Sequence, residues 1–299
     1  MSSERFSVSA EGYLAKHQVL VYLEDAISQL LDHKEDNPKV NPAKFFHDYF
    51  TSIHQGNHTL FREYSFIRST AHNRSSFTRT FWKCYKHIGK NGDLLNVKEY
   101  HSLLCLLCPD FPFDLVQKTA RIILMDDAMD CLMSFSDFLY AFQLQFYYEE
   151  FLQDCYKIYE KLMQATRSPR ETVVVPSSSS SPRQKKQQTP LPPPEQSPEG
   201  VDCLQFYESL LQLCSVTDCS HPKTNSLKDI LHNSNRVSFY GFLMALAKNE
   251  SVNACIGVLP TKAAIMDDTD PEHIVPIVTP RSKSAKPVLG GRTPRHIKH

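Results

Sequence analysis

The sequence predicts a mostly α-helical protein, and three observations support this fold class. In most apolar segments of the 299-residue chain, apolar residues recur at three- to four-residue spacing, the period of an amphipathic helix. The alternation of apolar and polar residues that is typical of half-buried strands is nearly absent. Only nine glycines are present, which leaves few of the tight turns that join strands. We therefore expect an N-terminal helical hairpin and a helix-loop-helix core, with a disordered linker and a disordered tail.

Charge and cysteine content narrow the class of protein further. Basic and acidic residues number 33 each, so no overall field favours nucleic acid or an anionic membrane as a partner. The N-terminus lacks the basic-then-apolar order of a signal peptide, and no apolar run approaches the roughly 20 residues of a membrane span. Cys84, Cys105 and Cys155 lie in apolar helical patterns and are expected to be small buried side chains. These features predict a soluble, reduced, intracellular protein.

Two amphipathic helices near the N-terminus form the most informative pattern. The first lies within residues 17–31, and its polar face includes Asp25. The second covers residues 42–53, with Asn41 as N-cap and a proline at the first helical position. Two such short helices bury too little apolar area alone, so they must pack on the rest of the chain or on another copy. The predicted interaction face consists of Val19, Leu23, Ala26, Ile27, Leu30, Pro42, Phe45, Tyr49, Phe50 and Ile53.

This helix pair resembles the RIIα/Dpy-30-like docking fold. The match rests on Pro42, Phe45, the Tyr49-Phe50 pair and Ile53, with Tyr13-Leu14 in the place of the fold's leading pair. The resemblance implies a homo- or heterodimer in which two hairpins form an X-shaped four-helix bundle, whose groove takes an amphipathic helix from a partner. The alternative is an ordinary helical hairpin that packs on the domain after it.

Further helices are predicted over residues 75–88, from residue 96 or 97, over 113–124 and over 136–163, and Gly89 is expected to stop the first of these. Helical patterning returns at 201–214, 226–231 and 238–248. The intervening segment is rich in Pro, Ser, Gln and Lys, a composition that cannot bury enough apolar area to fold. The predicted regions are a docking hairpin at 1–58, a helical domain at 59–165, a disordered linker at 166–200, a helical segment at 201–259 that packs on the core, and a disordered basic tail at 260–299.

Two loops in the helical domain resemble calcium-binding EF-hand loops. In residues 126–137, Asp126, Asp130, Ser134 and Asp137 fall at ligand positions 1, 5, 9 and 12. Positions 3 and 6 are Ala128 and Cys131, and Asp137 is shorter than the usual glutamate. The upstream loop at 89–99 lacks its first acid and is one residue short. These departures predict a degenerate EF-hand-like pair that binds no metal.

A third copy of this pattern follows the linker. Residues 133–142 and 237–246 share a Ser-Phe-x-x-Phe-Leu-x-Ala core, which indicates another helix-loop-helix unit. No phosphate-binding glycine loop or nucleophile elbow is found, and the Cys105/Cys108 pair lies on an apolar helix without the preceding strand of a redox site. The sequence therefore predicts no catalytic residue and no cofactor.

Several unusual blocks resemble the family of centriolar satellite-associated regulators of the tubulin polyglutamylase complex. They are residues 17–31, 89–95, 108–112, 125–138, 145–148 and 238–246. The resemblance implies a non-enzymatic adaptor of the cytoplasm and cytoskeleton, placed at centrosomes and centriolar satellites. Its implied partners are subunits of the polyglutamylase complex and satellite scaffold proteins, and its implied role is to support microtubule polyglutamylation. A calcium sensor and a docking scaffold of another ciliary or cytoskeletal complex remain as alternatives.

Overall fold

The computed structural model describes residues 9–125, 130–167, 200–217 and 219–260, and the mostly helical class is confirmed. Most of the predicted linker, nearly all of the predicted tail, and Asp126 and Ala128 of the calcium-like loop lie outside the described residues. The helices are α1 Ala10–Lys16, α2 Val19–Asp36, α3 Pro42–Gln55, α4 Tyr64–Arg68, α5 Ala71–Asn91, α6 Val97–Cys105, α7 Phe113–Leu124, α8 Phe135–Tyr147, α9 Glu149–Arg167, α10 Cys203–Val216, α11 Thr224–Leu231, α12 Phe239–Lys248 and α13 Glu250–Ile256. The two-residue strands are β1 Leu94–Leu95, β2 Met133–Ser134, β3 Val201–Asp202 and β4 Arg236–Val237.

The second helix of the N-terminal hairpin begins where its capping residues predict. The Asn41 side-chain oxygen accepts hydrogen bonds from two backbone N–H groups of the first turn of α3, at 3.0 and 3.3 Å, and Pro42 opens the helix. α3 ends at Gly56, whose φ of 75° lies in the left-handed region that glycine tolerates. The first helix is longer than predicted, because α2 continues five residues past residue 31, to Asp36. A separate helix, α1, precedes it.

Two helix-loop-helix units pair through their loops. One unit is α5, β1 and α6, and the other is α7, β2 and α8. The strands pair antiparallel, with Leu95 opposite Met133. α6 begins at a capping box in which Asn96 and Glu99 each accept a hydrogen bond from the other's backbone N–H. Ser134 is the N-cap of α8: its hydroxyl oxygen accepts a hydrogen bond from the backbone N–H of Asp137 in the first turn.

α5 extends beyond the predicted residues 75–88 at both ends. Gly89, which was expected to stop the helix, is buried inside it, and the actual stop is Gly92 with a φ of 72°. Gly89 serves close packing instead, because a Cβ at that position would lie 3.0 Å from the ring of Phe135. The prediction that Cys84 is buried is also wrong, because the side chain of Cys84 is exposed.

The single helix predicted over residues 136–163 is two helices, α8 and α9, divided at Tyr148. Two carboxylates, Glu149 and Glu150, open α9, where the helix dipole favours negative charge. Arg68 donates to Glu149 at 3.0 Å and Arg74 donates to Glu150 at 2.7 Å. The break therefore coincides with ion pairs to α4 and α5, which are distant in sequence and set the direction of α9.

A second pair of units repeats the arrangement of the first. α9, β3 and α10 form one unit and α11, β4 and α12 the other, with Val201 of β3 opposite Val237 of β4. The repeated sequence core lies at equivalent places, since Ser134 caps α8 and Ser238 caps α12. Gly200 directly precedes β3 with a φ of 92°, and a Cβ there would lie 2.4 Å from the carbonyl oxygen of Val237. Only glycine fits at this crossing of the two strands.

Two large apolar clusters form the interior, and α8 contributes to both. Phe142 packs in the cluster of the first pair, beside the stacked rings of Tyr100 and Phe138 at 3.8 Å, and Leu144 packs in the cluster of the second pair. A third, smaller cluster lies under the N-terminal hairpin. Within the described residues, no helix combines the length and apolar character that a membrane crossing requires.

Candidate docking surface

The inner side of the N-terminal hairpin packs on the core. Tyr22, Ala26 and Leu30 of α2 are buried, one helical turn apart. The Tyr22 hydroxyl donates to Asn73 Oδ1 at 2.7 Å and lies 2.8 Å from Thr70 Oγ1, so it is satisfied although burial raises its pKa. Tyr22 was not among the predicted face residues. Its position one helical turn before Ala26 predicts that Tyr22 is buried, but its polar hydroxyl led to its omission from the apolar stripe.

A polar network around Asp25 connects α2, α3 and the segment before α4. Arg62 donates to both carboxylate oxygens of Asp25, in one case at 3.0 Å, while Tyr49 donates at 2.6 Å and Gln29 at 2.7 Å. Burial opposes ionisation of the carboxyl, but the hydrogen bonds from Arg62 and Tyr49 outweigh it and lower the pKa of Asp25. The same burial and the same carboxylate raise the pKa of Tyr49. The expectation that Asp25 lies on a fully solvated face is wrong, because Arg62 covers it.

The outer side of α2 carries an apolar stripe that the described chain does not cover. It consists of Leu20, Leu23, Ile27 and Leu31, which are 50%, 36%, 50% and 57% exposed. Their spacing of three, four and four residues aligns them along one side of the helix, next to the buried stripe. α3 carries a second apolar pair, the half-buried Phe46 and the exposed Phe50, whose rings stack at 6.4 Å beside a shallow depression. These six side chains are called the outer apolar face below.

The structure distributes the predicted interaction residues over both sides of the hairpin. Those buried on the inner side are Ala26, Leu30 and Tyr49; those half-buried are Val19, Phe45 and Ile53; those exposed are Leu23, Ile27, Pro42 and Phe50. The predicted stripe thus combined two adjacent stripes with different environments. Leu20 and Leu31 belong to the outer stripe and were missed, although the periodicity places them one or two turns from Ile27.

Three of the candidate metal and redox residues, Ser134, Asp137 and Cys108, are engaged in other contacts. Ser134 donates to Asp137 at 2.7 Å and accepts from its backbone N–H, which is a helix cap. In the described part of the chain, no three His, Cys, Asp or Glu side chains converge as a metal site would require. Cys108 donates to Asp110 at 3.2 Å, and burial together with this carboxylate raises the pKa of Cys108 to about 12. A thiol held in its protonated form is a poor nucleophile.

Comparison with known proteins identifies the family. A family model described as the CSTPP1 N-terminal domain matches residues 7–56, which include the hairpin. Proteins named centriolar satellite-associated tubulin polyglutamylase complex regulator 1 are 51% identical in Danio rerio and 52% identical in Homo sapiens, over 90% of this chain and 80% of each relative. The relative of the same name in Mus musculus is 51% identical, with the same coverage. No solved structure matches this chain. The chain therefore belongs to the family of centriolar satellite-associated tubulin polyglutamylase complex regulators.

Proposed function

We propose that this chain is a non-enzymatic regulator of the tubulin polyglutamylase complex, and that it acts as an adaptor which docks through the outer apolar face. The observation that carries the proposal is the uncovered stripe on α2, since a row of exposed leucine and isoleucine side chains on a soluble domain marks a contact site. The family membership supports the choice of complex. The proposed location is the cytoplasm and cytoskeleton, at centrosomes and centriolar satellites.

The energetics favour docking through both helices together. Full burial of a Leu or Ile side chain gains about 1.5–3 kcal/mol, so four half-exposed side chains of α2 gain roughly 4 kcal/mol. Association costs at least that much in lost freedom of motion. The α3 side chains Phe46 and Phe50 are therefore needed as well. A second hairpin, from another copy or from a related subunit, supplies a matching apolar stripe, and the resulting bundle offers a groove to a partner helix.

The proposed partners are subunits of the polyglutamylase complex and satellite scaffold proteins. An adaptor that binds the assembled complex stabilises it by mass action, for as long as its surface remains occupied. The amount of assembled complex, and with it the glutamylation of tubulin tails, then depends on the amount of adaptor. We interpret the two pairs of helix-loop-helix units as an EF-hand-like scaffold that presents the hairpin without using metal.

Two neighbouring residues of α2 allow a matched test of this function. Ile27 lies in the outer apolar face, and Ser28 beside it is exposed on the polar side. In cells that lack the protein, re-expression of the Ile27→Asp chain should restore neither the complex subunits nor polyglutamylated tubulin, whereas Ser28→Asp should restore both. Immunoblots of the subunits and of polyglutamylated tubulin measure the outcome. Full rescue by Ile27→Asp, at equal protein level, would reject the outer apolar face as the docking site.

A further inference from the structure

An open cleft lies in the core, away from the N-terminal hairpin. It has a volume of about 530 Å³ and is formed by α7, α8, α12, α13 and the segment after α13. Its walls are apolar and include Ile122, Ile123, Ala141, Met244, Ala247 and Ala254. Lys248 adds one positive charge to its lining, and Asp137 and Glu250 add two negative ones. The size is that of a typical ligand site, and an apolar cleft of this size in water favours an occupant.

The chain itself runs into this cleft at the end of the described residues. α13 stops at Gly257, with a φ of 68°, and Leu259 then contacts both large apolar clusters. The Tyr140 hydroxyl donates to the carbonyl oxygen of Pro260 at 2.7 Å, and burial followed by the charge of Glu250 raises the pKa of Tyr140 to about 12. Leu259 and Pro260 are part of the cleft lining. The described chain therefore ends within the cleft.

We propose that the cleft is occupied by this chain's own segment 263–266, whose sequence is Ala-Ala-Ile-Met. The sequence continues for 39 residues beyond Pro260, and this apolar run begins three residues after it. At about 3.3–3.6 Å per extended residue, the run can reach any point of the cleft. Lys262 precedes the run, and its charge is opposite in sign to Asp137 and Glu250 of the lining; Asp267 follows the run, and its charge is opposite in sign to Lys248.

The covalent connection explains why the chain's own segment is the favoured occupant. A tethered segment of a few residues has an effective concentration in the millimolar range at its binding site, whereas a separate partner must supply the whole affinity by contacts. The occupied cleft joins α7 and α8 of the first pair of units to α12 and α13 of the second. The bound segment then links the two pairs of helix-loop-helix units.

The test compares two double variants of the full chain with equal changes in charge. One is Ile265→Asp with Met266→Asp, and the control is Ile274→Asp with Val275→Asp, each nine residues further along. The first variant should lower the melting temperature by about 3–6 °C, the shift expected when two apolar side chains leave a buried site in a domain of this size. The control should melt as the wild type does. Equal melting temperatures for all three chains, or equal losses in both variants, would overturn the proposal.

Two further measurements on the same chains exclude another occupant. An apolar fluorescent dye should bind the first variant more strongly than the wild type or the control, because its cleft is vacant. A synthetic peptide of residues 260–268 should restore the melting temperature of the first variant, and the same peptide with Ile265→Asp should not. Equal dye binding by wild type and variant would mean that the wild-type cleft is open to a separate ligand or partner, which would also overturn the proposal.

Discussion

At the residue scale, the side chain that orients the N-terminal hairpin is charged. Asp25 receives hydrogen bonds from Arg62, Tyr49 and Gln29, and the Arg62 guanidinium also lies 3.9 Å from the centre of the Phe66 ring. Charge-assisted bonds of this kind are directional, so they fix the angle at which α2 leaves the core. A purely apolar contact would leave that angle less defined.

The first prediction is that Asp25→Asn destabilises the protein by about 2 kcal/mol at neutral pH, because bonds to a charged group are worth roughly that much. The folded-state pKa of Asp25 lies below its usual value, so its contribution is present above about pH 4, the unfolded pKa, and is lost as the pH falls through the folded-state pKa. Thermal melts at pH 7 and at pH 3 measure it. The exposed Asp32 provides the control, Asp32→Asn. A gap between wild type and Asp25→Asn that is as wide at pH 3 as at pH 7 would contradict this interpretation.

Two glycines with positive φ give the second prediction. At Gly200 a Cβ would collide with the carbonyl oxygen of Val237, whereas at Gly92 nothing lies within 4 Å of it. Gly92→Ala should cost about 1 kcal/mol, for the left-handed backbone alone. Gly200→Ala should cost several times more, because β3 must also move away from β4. Urea unfolding of the two variants compares these costs, and equal midpoints would show that β3 does not approach β4 as closely as described.

At the element scale, the predicted helices agree with the structure where the signal is local. Asn41 caps α3 as predicted, and α6 begins at Val97, one of the two predicted residues, because capping side chains act on their own first turn. α7 also has the predicted bounds. The predictions are wrong where the structure depends on a residue that is distant in sequence. The division at Tyr148 coincides with ion pairs to upstream arginines, and the burial of Asp25 depends on Arg62. No local pattern contains these pairings.

The N-terminal hairpin gives the third prediction, which concerns its self-association. Leu23→Asp places a carboxylate in the outer apolar face, and an unpaired buried charge costs several kcal/mol, enough to dissociate a small bundle. Light scattering of the purified full chain should show a concentration-dependent dimer for wild type and Ser28→Asp, and a monomer for Leu23→Asp. A wild-type monomer at high concentration would leave the hairpin to pair with a related subunit and would contradict the homodimer.

At the scale of the whole molecule, two pairs of helix-loop-helix units share one interior. The predicted boundaries at residues 165 and 201 separate α9 from α10 in sequence, but these helices pack against each other, and α12 packs on α7 and α8. The sequence repeat at 133–142 and 237–246 indicated related units. It could not indicate which helices share a core. The segment between α9 and β3 is rich in Pro, Ser, Gln and Lys, and such a composition gives no apolar pattern that relates the two elements.

The fourth prediction concerns calcium and applies to the full chain. Calcium at micromolar concentration should leave the circular dichroism and the melting temperature unchanged, because each loop lacks required oxygen ligands or the central glycine. The carboxylates of Glu99 and Asp137 already accept hydrogen bonds at the N-termini of α6 and α8. A saturable rise in melting temperature that Asp126→Ala abolishes would favour the calcium-sensor alternative.

The direct test of the docking role is the affinity of the purified chain for the purified tubulin polyglutamylase complex. Wild type and Ser28→Asp should bind with the same affinity, and Ile27→Asp should bind at least tenfold more weakly, since the loss of one buried apolar contact of about 1.4 kcal/mol or more corresponds to that factor. Titration of the complex over each surface-immobilised chain measures the three affinities. Equal binding by Ile27→Asp and wild type would contradict the assignment of docking to the outer apolar face.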